Sequence, residues 1–227
     1  MRGTVLVKLK FDGGVNLNAK DELERIAQEV AQCRLCELHY SRKHAVPGEG
    51  PVDAEIMFIG EGPGFHENEQ GRPFVGAAGK FLDELLEKIG LRREQVFITN
   101  VVKCRPPSNR DPKPEEVDIC TKQYLERQIQ AINPKVIITL GRYSMGLFLS
   151  NAKISEVHGQ AVRVKGRLIV PMYHPAAGLH QMSLKPIIEQ DFLRLPELLS
   201  KATPSEQENS SPSTFDTDQP AKQLSLF

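Results

Sequence analysis

Apolar residues along the chain fall into two alternating kinds of run. Four runs are short, rich in β-branched residues and closed by Gly, Asn or Pro: "EIMFIG", "VFITNVV", "KVIITLG" and "LIVPMYHP". Such runs predict buried strands that feed loops. Between them the spacing becomes helical. "AAGKFLDELLEKIGL" puts Phe81, Leu82, Leu85, Leu86 and Ile89 on one face, and "PEEVDICTKQYLERQIQAI" reads as a second helix. "DELERIAQEVAQCRLCEL" carries Leu23, Ile26, Val30 and Leu35 at near-helical spacing, with Cys33 and Cys36 on its last turn or just beyond. Alternating strands and helices predict an α/β fold, a three-layer α/β/α sandwich around a central, mainly parallel sheet. Loops beyond the strand C-termini of such a sheet gather at one edge, where ligands bind. The loops opening at Gly60, Asn100, Gly141 and His174 are therefore expected side by side.

A chain of 227 residues with 40% hydrophobic content suits one well-buried domain, placed at residues 1–202. Residues 203–227 are rich in Ser, Thr, Pro and acids and are expected to be disordered, although the closing "QLSLF" turns apolar again. Formal net charge is zero, which argues against a polyanionic partner until that tail is set aside. The tail holds four acids and one base, leaving 28 basic and 25 acidic residues in the body. A mildly basic body permits nucleic acid. No secretory signal and no run near membrane-spanning length is visible, so the expected location is the cytoplasm. In that reducing compartment cysteines are expected to bind metal or do redox chemistry.

The four cysteines are Cys33-x2-Cys36 and, after 67 intervening residues, Cys104-x15-Cys120. Four thiolates can hold a structural zinc or a [4Fe-4S] cluster, and spacing alone does not separate the two. A redox pair is disfavoured because "CRLC" ends a helix rather than opening one, losing the dipole that activates a thiolate. Between Cys104 and Cys120 runs a proline-stiffened basic loop; with Lys103 it contributes Arg105, Arg110 and Lys113.

The stretch "GEGPGFHENEQGRPFVG" puts five glycines directly after a strand. Pro63 and a helix expected only near Gly76 argue against a dinucleotide fingerprint, and the missing Gly-Lys-Ser/Thr argues against a Walker loop. What the loop offers is a carboxylate, Glu61, between small residues, followed by Glu67 and by Phe74, which can cover a flat ligand. Asn100 ends its strand with both a donor and an acceptor, the complement of a pyrimidine edge. His174 ends another, where it can donate to developing negative charge. Together they describe a pocket for a planar, hydrogen-bonding ring.

"GEGPGFHENEQGRPFVGAAG", "TNVVKCRPPSNRDPKPEE" and "YHPAA", with Cys33, Cys36, Cys104 and Cys120, resemble the family 4 uracil-DNA glycosylases, over roughly Ala31 to Leu198. The resemblance implies a [4Fe-4S] cluster on those four cysteines. It implies that Gly60, Glu61 and Gly62 line the uracil pocket, that Phe74 stacks on the base, that Asn100 reads its polar edge and that His174 faces O2. It also implies that Glu67 lies near the mouth, where the thymine methyl would be blocked. Gly62 stands where the best-known uracil glycosylases have a water-activating Asp, so the base is open between Glu61 and Glu67. Glu61 separates the chain from a sister family that has an apolar residue there.

The expected reaction is excision of uracil from double- or single-stranded DNA by a monomeric, monofunctional glycosylase, with Glu61, Asn100 and His174 as catalytic residues. Leu179, Met182 or Leu184 would fill the vacated stack, and Lys103, Arg105, Arg110, Arg142 and Lys185 would contact phosphates. The tail end, through Gln223, Leu226 and Phe227, resembles peptides that dock on DNA sliding clamps. An iron-sulfur redox or electron-transfer protein, and a non-catalytic, metal-stabilised nucleic-acid binder, are the alternatives.

Overall fold

The computed structural model describes residues 17–200. The tail and its clamp-like peptide lie outside the described residues. Strands β1 (Ile56–Gly60), β2 (Phe97–Asn100), β3 (Val136–Leu140), β4 (Val162–Val164) and β5 (Arg167–Met172) form one sheet in the order β2-β1-β3-β5-β4. All neighbours are parallel except β4, which runs antiparallel to β5. The four long strands are those expected from sequence. The three-residue β4 was not, because a part-exposed edge strand has no continuous apolar run to announce it.

Alternate residues along the central strands face opposite layers, as a pleated strand requires. Phe58, Ile98, Ile138 and Val170 pack with Phe81, Leu82 and Leu85 of α3 (Ala77–Lys88) and with Phe192 and Leu195 of α9 (Lys185–Ser200). Met57, Ile59, Ile137 and Ile169 face the other way, against Ile26 and Val30 of α1 (Leu17–Gln32), with Tyr124, Leu125 and Ile132 beyond. Both sheet faces are thereby closed, and a fully buried Leu or Phe contributes about 1.5–3 kcal/mol in either layer.

Three helical expectations change. Helix α1 ends at Gln32, which leaves Cys33 and Cys36 just beyond it as expected, but Leu35 is 54% exposed rather than on its buried face. The segment read as one helix is α4 (Pro114–Cys120), a π turn (Thr121–Leu125) and α5 (Glu126–Ile132). The wider π turn directly follows Cys120, and such turns often serve functional sites. A short helix, α2 (Phe65–Gln70), begins inside the glycine-rich loop. Its six mostly polar residues carry too little periodicity to be read in advance.

Candidate functional site

At the C-terminal edge of the sheet a cavity of about 360 Å³ is lined by Glu61, Gly62, Pro63 and Gly64 from the loop after β1, by Pro106, Asn109 and Arg110 from the loop after β2, and by His174, Ala176 and His180. The last three belong to the turn after β5 and to α8 (Pro175–His180). Three of the four loops expected to meet line it together; the loop at Gly141 supplies no lining residue and packs behind His174 instead. Gly60, Asn100 and Phe74 lie behind this lining, in contact with one another. Gly60 pairs in register with Asn100. A β-carbon on Gly60 would fall 2.4 Å from Asn100 Oδ1 and 2.7 Å from Phe74 Cζ, so only glycine permits the close approach. The Phe74 ring in turn stacks on His174, centroids 5.5 Å apart.

Asn109, Arg110 and His180 add polar groups to the lining, but three others bear most directly on a ligand: Asn100 behind the wall, and His174 and Glu61 in it. Asn100 is 1% exposed, and its Oδ1 is buried without a hydrogen-bond partner. Buried acceptors are rarely left so, because desolvation costs about 1–3 kcal/mol, and an orphan just behind a cavity wall points to a donor arriving with a ligand. His174 caps α8, its Nδ1 accepting from Ala176 N–H at 3.1 Å. Burial pushes its pKa down to about 4, with the Glu67 charge opposing. The imidazole is therefore neutral near pH 7, and the bond to Nδ1 leaves the proton on Nε2, free to be donated. Glu61 accepts no hydrogen bond that would hold it ionised; burial pushes its carboxyl up, Asp111 adds to this and Arg142 opposes.

Glu67 does not line this cavity. Its Oε2 accepts from Gly64 N–H at 3.1 Å and its Oε1 from Val75 and Gly76 N–H, both at 2.9 Å. The carboxylate ties the start of the loop to its end and brackets Phe74. From the other side Arg93 donates to Phe74 O at 3.0 Å and to Pro73 O, with Glu49 and Asp83 completing its partners. Phe74 needs this bracing because its φ is +51°, a conformation that non-glycine residues adopt at a cost. Its carbonyl also lies where a β-carbon on Gly79 would sit, 1.9 Å away.

On the α1 and α5 side, Cys33, Cys36, Cys104 and Cys120 surround a small, largely enclosed cavity whose other walls are Val30, Leu38, Ile119 and Tyr124, with Lys103. Burial pushes the thiols of Cys36 and Cys104 up, and that of Cys120 up to about 12. Two donors point at sulfur: Lys103 N–H to Cys120 Sγ at 3.3 Å and Arg42 Nη1 to Cys104 Sγ at 3.2 Å. Among the described residues no three His, Cys, Asp or Glu side chains converge closely enough to hold a single metal ion.

The family model of the uracil DNA glycosylase superfamily matches residues 47–194, which span every strand and the whole cavity lining. The chain belongs to that superfamily. It is 49% identical over 190 residues to the Type-4 uracil-DNA glycosylase of Sulfurisphaera tokodaii, covering 78% of this chain and 85% of the relative. It is 48% identical over 194 residues to that of Archaeoglobus fulgidus, covering 82% and 97%. To the Type-5 uracil-DNA glycosylase of Thermus thermophilus it is 33% identical over 189 residues, covering 66% and 85%. The levels of identity place this glycosylase with the type-4 relatives.

Of the basic residues assigned to phosphates, Lys103 is 1% exposed and cannot reach DNA. Its ammonium donates to Thr99 Oγ1, Asn100 O and Gln128 Oε1, each at 2.7 Å. Arg110 is held in a two-pronged pair by the buried Glu116, whose carboxyl the Arg110 bonds push down. Arg142 pairs with Asp111 but is well exposed, and Lys185 lies over the Phe81 ring. Leu179 and Met182 of the glycosylase are exposed at 40% and 69%, as a wedge requires, whereas Leu184 packs partly against the core. Sequence reasoning missed His180 and the bracing by Arg93 and Glu67. For Glu67 a signal existed, since an acid three residues after Gly64 has capping-box spacing.

Proposed function

We propose that this glycosylase excises uracil from DNA by hydrolysing its N-glycosidic bond, with Asn100 selecting the base and His174 stabilising it as it leaves. The observation that carries the reading is the orphaned Asn100 Oδ1 behind a cavity whose wall is a neutral His174. The target nucleotide must leave the helix stack, at a cost of a few kcal/mol, to reach such a recessed site. There Asn100 Oδ1 accepts from uracil N3–H while its amide NH2 donates to O4. Cytosine presents the opposite polarity at both positions and would leave Asn100 unpaired, which a site built for hydrogen bonding rejects strongly.

The C1′–N1 bond breaks with its electron pair going to uracil, leaving an oxocarbenium-like sugar. His174 Nε2–H donates to O2 as negative charge develops there. One preorganised donor of this kind is worth about 2.7–4 kcal/mol. Water adds to C1′ and loses a proton, giving an abasic site, and uracil takes up a proton from solvent. Glu61 is the carboxylate left to orient that water, because Glu67 is occupied by three backbone donors. Phe74 supplies the apolar face of the pocket, with Gly60 and Gly62 letting backbone approach the ring.

Cys33, Cys36, Cys104 and Cys120 would hold a [4Fe-4S] cluster. In support, all four cysteines line one small cavity, and Arg42 and the Lys103 amide offer bonds to bound thiolate. The cluster would cross-link the segment after α1, the loop after β2 and the end of α4, fixing the segment that carries Asn100. The enzyme would act as a monomer on chromosomal DNA in the cytoplasm, with Gln223, Leu226 and Phe227 docking on a sliding clamp.

Incubation with a uracil-containing oligonucleotide followed by alkali tests the reading. Strand scission is expected, and its loss in Asn100→Ala and His174→Ala. No scission by the wild type beside an active control enzyme would overturn it. Iron and acid-labile sulfide in the purified protein, with broad visible absorption, support the cluster; stoichiometric zinc instead would refute it.

A further inference from the structure

Phe65, at the first position of α2, is 52% exposed and belongs to neither core layer. It is nevertheless held in place. The Arg105 guanidinium lies over one face of the ring, 5.3 Å from its centroid, and His66 meets it edge-on at 5.4 Å. Arg105 is itself fixed by its Nε, which donates to Asn109 Oδ1 at 2.7 Å. Gly64, Pro106 and Asn109, the chain neighbours and anchor of this pair, all line the cavity. The ring therefore stands on the rim of the pocket.

We propose that Phe65, backed by Arg105, is a stacking seat for the unpaired base adjacent to the flipped deoxyuridine in the substrate strand. The proposal rests on the uracil excision argued above. Folding gains little from a half-exposed phenylalanine, whereas a π-face at a nucleic-acid site gains a base without regard to its identity. Arg105 strengthens the seat in two ways. It orders the ring before substrate arrives, and its charge lies within reach of the phosphate that links the two nucleotides. His180, another lining residue, is flanked in the chain by the exposed aliphatic Leu179 and Met182. An aliphatic wedge suits the gap in a duplex, and an aromatic face suits a base that has lost its stacking partner. The seat therefore matters most when no complementary strand holds that base, which makes Phe65 a determinant of activity on single-stranded uracil.

The test compares full-length wild type, Phe65→Ala and Phe65→Trp on single-stranded and duplex uracil oligonucleotides of one sequence. Phe65→Ala is expected to raise KM for the single strand by about 5- to 150-fold. Its kcat should hold within about 2-fold, the duplex should be affected less, and Phe65→Trp should restore KM. With His174→Ala in the background, 2-aminopurine beside the uracil should lose fluorescence on binding, and lose that response in Phe65→Ala. Unchanged single-strand KM in Phe65→Ala, or a rise confined to duplex, would overturn the seat. Wild-type cleavage in the same assay separates that outcome from failure of the excision reading.

Discussion

The ammonium of Lys103 lies 2.7 Å from the backbone oxygen of Asn100, while the amide of the same lysine donates to Cys120 Sγ. One buried residue thus touches both the strand end that carries the base-reading amide and the proposed cluster. Burial pushes its pKa down only to about 8, so it remains a charged triple donor near neutral pH.

Replacing Lys103 by Met leaves Asn100 O, Thr99 Oγ1 and Gln128 Oε1 without that donor. Gln128 Oε1 keeps a donor in Thr99 Oγ1 at 3.3 Å, so at about 1 kcal/mol or more for each of the other two groups a loss of about 2 kcal/mol or more is expected in urea unfolding. A fall in kcat should accompany it, because the end of β2 is then free to shift. A variant with unchanged midpoint and unchanged kcat would show the contact to be idle.

His174 is expected to titrate at about 4 rather than 6.5. The unfolded chain takes up the proton first, so this contribution to stability is whole above pH 6.5 and is lost as pH falls towards 4. The loss should reach about 3 kcal/mol. Imidazole NMR checks the value directly, and kcat should show no inflection near pH 6.5 from this residue. A resonance midpoint near 6.5 would contradict the neutral-donor role.

Gly60→Ala forces a methyl into the space of Asn100 Oδ1 and Phe74 Cζ. Because both neighbours belong to the pocket, activity should fall by at least about 100-fold, equivalent to about 2.7 kcal/mol. Thermal unfolding should show a folded protein, since the crowding is local. Wild-type rates in Gly60→Ala would place the base elsewhere.

Glu67→Gln keeps the size of the side chain but weakens charge-assisted bonds to Gly64, Val75 and Gly76 N–H. The expected result is a stability loss of about 1–3 kcal/mol and weaker inhibition by free uracil, as Phe74 loses its fixed position. Glu61→Gln should differ, lowering kcat while leaving inhibition by uracil intact. If the two variants gave the same pattern, the division of roles between the carboxylates would fail.

Deleting Gln223–Phe227 should abolish binding to a sliding clamp in a pull-down while leaving cleavage of short oligonucleotides unchanged. Clamp binding that survives the deletion would dismiss the peptide.

Much of this protein was determined by its sequence alone. Runs such as "EIMFIG" and "KVIITLG", short, β-branched and alternating with helical patterns, pointed to buried parallel strands whose ends gather at one edge. Asn100, His174, Glu61 and Phe74 were legible because each follows directly on such a strand or on its glycine-rich loop. Periodicity reports which residues are buried, but not which partner a polar side chain will find. Lys103 read as a phosphate contact, yet the tertiary structure gives it acceptors on β2 and α5 and hides it. Glu67 read as a gatekeeper at the pocket mouth, yet three backbone donors brought together by the loop's own closure claim its carboxylate. Arg93 gave no signal, since its partners, Phe74 and Glu49, are 19 and 44 residues away. Strand and helix follow from local spacing, whereas the partners that hold each functional group in place follow from which distant segments the folded sheet brings into contact.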